Sequence, residues 1–290
     1  MPGRGVVILR TMDPRRAVLT PLLAVRGPVA ARRDDPVAVE EPLEIRAGGP
    51  TQEPVRVAVT MRTPGHDHEL AVGFLRGEGI VRGPHDLGPD RPRAVMPVVG
   101  RGEIVVVSLA HDLDPARFAR NFYTTSACGV CGKAALDQVE VSADPLGTGP
   151  TVAASTLLSL PLRLREAQET FEATGGLHAT GIFSADGYLR VVREDVGRHN
   201  AMDKALGRLL LDGEGSLGDT VVMLSGRASF ELVQKAALAG VTVLCAVGAP
   251  SSLAVALAQR LGMTLVGFLR GDGFNLYAHP RRVTGLPGGA

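Results

Sequence analysis

Cys128 and Cys131 stand three positions apart in the run Thr124-Thr125-Ser126-Ala127-Cys128-Gly129-Val130-Cys131-Gly132-Lys133, where no bulky neighbour shields either sulfur. Ala134 to Val141 reads as a helix. A helix starting near Gly129 turns its unpaired N–H groups and positive dipole end toward the sulfurs, which favours thiolate over thiol. Lys133 adds a cation. Such a thiolate is a nucleophile open to another sulfur compound.

Other chemistries use the same spacing. A zinc knuckle takes four ligands, commonly from two such pairs, and the third cysteine, Cys245, lies in the apolar run Val241 to Val247 and reads as core. A thioredoxin-like pair belongs to a βαβ frame close to the chain start. A zinc deaminase shows His-x-Glu followed by Pro-Cys-x-x-Cys, and neither pattern occurs. Sulfur transfer, metal binding and a structural or redox pair all stay open on the pair alone.

The chain that must position these thiols has 290 residues, 45% hydrophobic, enough for two medium cores. A net charge of +1 gives no general polyanion surface, and the absence of Trp leaves little for base stacking, so nucleic acid is not the expected partner. No apolar run reaches about 18 residues, and the arginine-rich start lacks the apolar stretch of a signal peptide. The expectation is a soluble, cytoplasmic protein without a membrane segment.

Residues 1–35 mix arginines with short apolar pieces and read as a partly ordered extension. Val37 to Ile45 and Val55 to Arg62 read as strands, the second with Val55, Val57, Val59 and Met61 on a buried face. His66 to Gly77 reads as a helix, Pro84 to Pro97 as a loop and Glu103 to Leu109 as a strand. Ser142 to Thr151, rich in Pro and Gly, marks a domain boundary. Beyond it helices are expected over Thr156 to Thr174, Val196 to Leu211, Phe230 to Ala239 and Leu253 to Leu261. Strands are expected over Ala179 to Ser184, Tyr188 to Arg193, Thr220 to Leu224, Val241 to Val247 and Thr264 to Leu269. That alternation, with strands apolar at consecutive positions, is α/β with a largely buried sheet.

Polar residues collect where strands give way to helices, the usual ligand edge of an open α/β sheet. One group is Glu194, Asp195, Arg198, His199, Asn200, Asp203 and Lys204, either ordinary helix surface or an anion grip at a first helical turn. Ser225-Gly226-Arg227 resembles a phosphate turn. Gly248-Ala249-Pro250-Ser251-Ser252 reads equally well as a turn of this kind or a plain helix cap. Phe268, Leu269, Arg270, Gly271, Asp272 and Gly273 combine a cation, an acid and two glycines, which suit either a hairpin turn or a nucleotide contact. No Gly-x-Gly-x-x-Gly or Walker loop is present, so any nucleotide site is of another kind.

Together these segments resemble the formate dehydrogenase accessory sulfurtransferases, the FdhD family. The residues that carry the likeness are Val57 to Gly65, Cys128-Gly129-Val130-Cys131-Gly132-Lys133, Glu194-Asp195-Val196-Gly197-Arg198-His199-Asn200, Ser225-Gly226-Arg227 and Gly267 to Asp272, within a span from about Val37 to Arg281. The resemblance implies a sulfur carrier that takes sulfur as a persulfide from a cysteine desulfurase. It would pass that sulfur to the molybdenum bis(molybdopterin guanine dinucleotide) cofactor before the cofactor enters formate dehydrogenase.

It also implies Cys128 as the persulfide carrier with Cys131 as partner, and a homodimer, while the single Cys pair without His-x-Glu argues for no resident metal. Phe268 to Gly273 would meet the guanine end of the cofactor, which GDP-like nucleotides would mimic, with basic groups at Arg198, Arg227 and Arg270 on its phosphates and His199 and Ser225 beside them. The expected organisation is a smaller N-terminal α+β domain over 36–145 and a C-terminal cytidine-deaminase-like α/β/α sandwich over 151–285. A cofactor-delivering chaperone without its own sulfur transfer, and a zinc-dependent hydrolase with metal at Cys128 and Cys131, are the competing functions.

Overall fold

The computed structural model describes residues 13–90, 92–95, 103–114 and 143–287. Cys128, Cys131 and the helix expected over Ala134–Val141 lie outside them. The described part opens with a hairpin of β1 (Ala17–Arg26) and β2 (Val29–Ala38), closed by a two-residue turn in which Gly27 has φ 56°. From Ala17 onward this replaces the partly ordered extension expected there. Apolar residues recur along both strands, yet the hairpin leaves Leu19, Leu23 and Val25 in solvent.

A four-stranded sheet follows, ordered β4 (Val55–Arg62), β3 (Glu41–Gly48), β6 (Glu103–Ser108), β5 (Arg93–Val95). Helix α1 (Asp67–Gly77) covers one face, packing Leu70, Ala71 and Leu75 on Leu43, Ile45, Val105 and Val107. The expected burial of β4 holds at Val57, which joins this core, and is corrected at Val55, Val59 and Met61. A register shift leaves Val57 unpaired between Ile45↔Ala58 and Arg46↔Arg56, so Ala58 and Thr60 share the inner face with Ile45 and Leu43. Val59 and Met61 are then exposed, while Arg62 is fully buried. The Asp67 carboxylate grips its guanidinium at 2.9 and 3.0 Å and Glu103 adds a contact at 2.7 Å, which compensates the buried charge.

Residues 143–150 carry no regular structure. Beyond them come β7 (Val152–Ala153), α2 (Ala154–Glu166), α3 (Glu169–Thr174), β8 (His178–Ser184), β9 (Leu189–Asp195), α4 (Arg198–Leu211), β10 (Thr220–Leu224), α5 (Phe230–Leu238), β11 (Val243–Ala246), α6 (Ser252–Leu261), β12 (Thr264–Arg270), β13 (Gly273–Ala278) and β14 (Val283–Thr284). A six-stranded sheet runs β13-β12-β11-β10-β8-β9, with β10, β11 and β12 parallel and the others antiparallel. Alternate residues face opposite layers. Ile182, Val222, Leu224, Leu244 and Leu265 meet the layer of α4, α5 and α6. Phe183, Val221, Met223, Val243 and Val266 meet α2. The result is a mixed α/β fold with helices on both faces of this sheet.

Cys245 points into the α2 layer, fully buried, and burial pushes its thiol far up. The single helix expected over 156–174 is two. The break at Ala167 and Gln168 frees the first N–H groups of α3, and the Glu194 carboxylate accepts from Thr170 and Phe171 at 3.0 and 2.8 Å. No helix among the described residues is long and apolar enough to cross a membrane.

The two halves meet where α1 crosses α4, glycine against glycine. A Cβ on Gly73 would lie 1.7 Å from the Asp203 carbonyl oxygen, and one on Gly207 1.9 Å from that of Glu69. Only glycine permits that approach. Around the crossing Glu69 pairs with Arg193, Lys235 with Asp203 at 2.9 Å, and the buried Arg76 donates to the carbonyls of Glu214 and Ala239 that follow α4 and α5.

Candidate functional site

Three parallel strands, β10, β11 and β12, end on one edge of the six-stranded sheet, where antiparallel β9 also ends and β8 begins. Helices α4, α5 and α6 start there, behind Gly197, Ser229 and Ser251. Unpaired N–H groups and positive dipole ends therefore collect along this edge.

The turns that form it are stitched side by side. Ser225 locks β10 to β8: its N–H donates to the Ala179 carbonyl at 3.0 Å and its hydroxyl accepts from Ala179 N at 2.8 Å. Gly248 N donates to the Gly226 carbonyl at 2.9 Å, and Phe268 N donates to the Gly248 carbonyl at 3.0 Å. Glycine is needed at 248 because a Cβ would lie 2.9 Å from Arg227 Cγ. Phe268 takes the left-handed region, φ 52°, beside a bulge between Gly267↔Asn275 and Arg270↔Gly273. That conformation costs roughly 1–2 kcal/mol in a non-glycine residue and turns the ring out of the sheet, where Arg270 lies 5.7 Å from its centre.

Arg198, Arg227 and Arg270 form no ion pair among the described residues. His199 meets Glu231 at 2.7 Å and the Ser229 hydroxyl at 3.4 Å. Both contacts fall on Nε2, so this is no nucleophile–base–acid relay, which needs both ring nitrogens. Hydrogen bonding from His199 holds the Glu231 carboxyl below its usual range. His178, which opens β8 opposite Asp195 and beside Gly226, joins this group. Burial lowers its pKa first; Arg198, His199 and Arg227 push the same way and Asp195 opposes them. The sequence signal for it was slight, a lone histidine heading an apolar strand.

The residues read from the sequence thus divide. Arg198, His199, Ser225, Arg227, Phe268 and Arg270 come together on the edge. Leu269 is fully buried in the core, so it offers a ligand only backbone. Gly271 and Asp272 make the exposed turn of the β12–β13 hairpin, with Gly271 at φ 61° and Gly273 opposite Arg270.

Asp195 and Asn200 do other work. Asp195 is fully buried and accepts from Thr63 N at 3.1 Å, Gly197 N at 2.8 Å and Asn200 Nδ2 at 3.1 Å, and it pairs with the equally buried Lys204 at 2.7 Å. Lys204 also donates to the Thr63 carbonyl at 2.7 Å, and Asn200 to that of Met61 at 2.8 Å. These residues latch the strand-and-turn Val57–Gly65 onto the first turn of α4. Two of the segments singled out in the sequence are therefore one buried interface that holds Arg198 and His199 in place.

Chemically, the edge offers three guanidiniums, two imidazoles and three helix starts against Glu231, which His199 already pairs, and Asp272 at the turn. It suits an anion with an attached planar group.

Comparison with known proteins follows the same outline. A sulfur carrier protein FdhD from Mycolicibacterium paratuberculosis is 49% identical over 265 residues, covering 88% of this chain and 94% of the relative. Its counterpart from Streptomyces coelicolor is 47% identical, covering 90% and 94%. A crystal structure from Desulfotalea psychrophila, described as that of a formate dehydrogenase accessory protein, superposes with a TM-score of 0.71 at 24% identity, over 92% of this chain and 99% of that one. The FdhD/NarQ family model matches residues 38–284. Its span takes in the strand β4, the latch, the stitched turns and the Cys-x-x-Cys segment alike, and the chain belongs to the FdhD/NarQ family.

Proposed function

We propose that this protein is a sulfur carrier in formate dehydrogenase maturation, loading Cys128 from a cysteine desulfurase and delivering the sulfur to the molybdenum bis(molybdopterin guanine dinucleotide) cofactor. The observation that carries the reading is the cationic sheet edge, on a chain of this family whose one thiol outside the Cys128–Cys131 pair, Cys245, is sealed in the core. The cofactor is cargo here, and its anionic phosphates match Arg198, Arg227 and Arg270. Phe268 offers a face to its guanine.

In the first step the Cys128 thiolate attacks the terminal sulfur of the donor persulfide. The new S–S bond makes Cys128–S–SH, and the donor cysteine leaves as thiolate. In the second step Cys131 attacks the inner sulfur, closing a Cys128–Cys131 disulfide and releasing the terminal sulfur as sulfide to the acceptor. The edge residues hold and orient the cargo; they neither donate nor accept sulfur. The protein acts in the cytoplasm as a homodimer.

Mass spectrometry after incubation with a cysteine desulfurase and cysteine tests this. The Cys128 peptide should gain about 32 Da, one sulfur atom. Cys128→Ala should abolish the gain and Cys245→Ala should keep it. A gain that survives Cys128→Ala overturns the assignment. Cofactor binding without any gain would leave a delivery chaperone.

A further inference from the structure

We infer that His178 is a positioning residue of the sheet edge that binds neutral and takes up a proton when a phosphate-bearing ligand docks between Arg198 and Arg227. The inference rests on the reading of this edge as a nucleotide site, and it adds to that reading a residue and a pH dependence.

His178 lies in the row of the sheet between Asp195 on β9 and Gly226 just past β10; a Cβ on Gly226 would sit 3.4 Å from its Nδ1. Along β8 it shares a face with Thr180 and Ile182, and Ile182 packs into the layer of α4 and α5. Its ring is therefore on the side where α4 presents Arg198 and His199. Among the described residues nothing hydrogen-bonds that ring. The Thr180 hydroxyl on the same face is buried without a partner. A polar occupant above β8 would satisfy both.

The charges around His178 fall on three elements. Arg198 and His199 come from α4 and Arg227 from the turn after β10, all positive or able to be. Asp195 at the end of β9 is the carboxylate among them, and its oxygens are already taken by Thr63, Gly197, Asn200 and Lys204. Glu231 of α5 is held by His199. A further positive charge on His178 is therefore disfavoured until an anion arrives. A phosphate bridging Arg198 and Arg227 cancels that repulsion and gives the imidazolium N–H an acceptor, so the proton comes from solvent as the ligand binds.

Calorimetric titration with GDP in buffers of different ionisation enthalpy reads the proton count directly. At about pH 6.5 the wild type should take up a substantial fraction of one proton per GDP more than His178→Gln, a difference that cancels the nucleotide's own phosphate titration. Wild-type affinity should fall by up to about tenfold in all between about pH 5 and pH 8, the full effect of a one-unit rise in the histidine pKa on binding, and His178→Gln should be flatter by that amount. As a check independent of any variant's folding, the wild-type His178 C2–H resonance should titrate below about pH 6.5 when free and move upward with saturating inorganic diphosphate. GDP binding with equal proton uptake in wild type and His178→Gln, or a resonance whose midpoint ignores diphosphate, overturns the role of His178 and leaves the nucleotide site standing. Failure of both GDP and diphosphate to bind overturns the site and His178 together.

Discussion

Replacing Gly207 by alanine tests whether the two halves are held by the crossing of α1 and α4. The added Cβ would lie 1.9 Å from the Glu69 carbonyl oxygen and 2.7 Å from Gly73 N, both backbone atoms that no side-chain rotation can clear. Restoring ordinary contact at about 3.4 Å means parting the helices by about 1.5 Å, and a gap of even 1 Å forfeits up to about half of each dispersion contact. Overpacking of this kind costs about 3 kcal/mol or somewhat more, and alanine's better helix propensity returns about 1 kcal/mol. The net loss should be about 2–3 kcal/mol, read by urea unfolding at 25 °C. Gly215→Ala, in an exposed loop whose nearest neighbour is the Pro84 ring at 3.7 Å, should change stability by less than about 0.5 kcal/mol. If Gly207→Ala is as stable as the wild type, the helices do not touch as described and the positioning of the α4 start must be reargued.

Glu69 gives an acid-side prediction. Burial pushes its carboxyl up, but the Arg193 guanidinium and His66 outweigh burial and hold it at about 2, against 4.5 for the free group. The unfolded chain therefore takes the proton first, and on the order of 3 kcal/mol of stability, complete above about pH 4.5, is lost as pH falls toward 2; Arg193→Met should flatten that slope in acid unfolding, and an unchanged slope would refute the pairing. GDP should bind more tightly than ADP, because guanine's N1–H and N2–H₂ can both donate to Asp272. With that side chain exposed, Asp272→Ala should cost about 1.5 kcal/mol, or about tenfold in calorimetry, and erase the preference; a variant that still prefers GDP removes Asp272 from base reading. The proposed homodimer should use the face of the β1–β2 hairpin that carries Leu19, Leu23 and Val25, 48%, 61% and 65% exposed, since Pro21 and Pro36 interrupt its outer strand edges. Leu23→Glu with Val25→Glu should sediment as a monomer, and a dimer that persists in the double variant rules that face out.

Local pattern carried most of the C-terminal half. The expected limits of β10 match the structure, and those of α5, α6 and β12 fall within a residue or so, because each strand is uniformly apolar and each helix starts behind a turn. Cys245 was legible as core for the same reason. Errors arose where a distant partner decides the outcome. The pattern of β4 reads as a valine face turned inward, which holds at Val57, but the bulge there and the carboxylates around Arg62 turn Val59 and Met61 outward. The helix over 156–174 breaks where Glu194, from another strand, supplies the hydrogen bonds for a new start. In the candidate site, Arg198, Arg227 and Phe268 could be found from their turns. His178 had only a slight signal, since the sheet order sets it between Asp195 and Gly226.

The segment Glu194–Asn200 reads as a cluster of ligands, and its geometry argues for a division of labour within seven residues. Glu194 starts α3, Asp195 and Asn200 fasten β4, and only Arg198 and His199 face the edge. Asp195 is the pivot, because the carboxylate that binds Thr63 N just ahead of α1 also binds Gly197 N at the start of α4. A force that shifts β4 and α1 is thus delivered through one buried ion pair, Asp195–Lys204, to the helix start bearing two of the edge's charged groups. Breaking a pair buried so completely costs about 3–5 kcal/mol, and that cost keeps Arg198 and His199 in register with Arg227 across the sheet edge. The polar character of the segment therefore has two physical origins. Burying the junction between the halves requires its carboxylate and amide to be fully satisfied, and gathering anions at the edge requires its guanidinium to stay free to bind while Glu231 holds its imidazole in place.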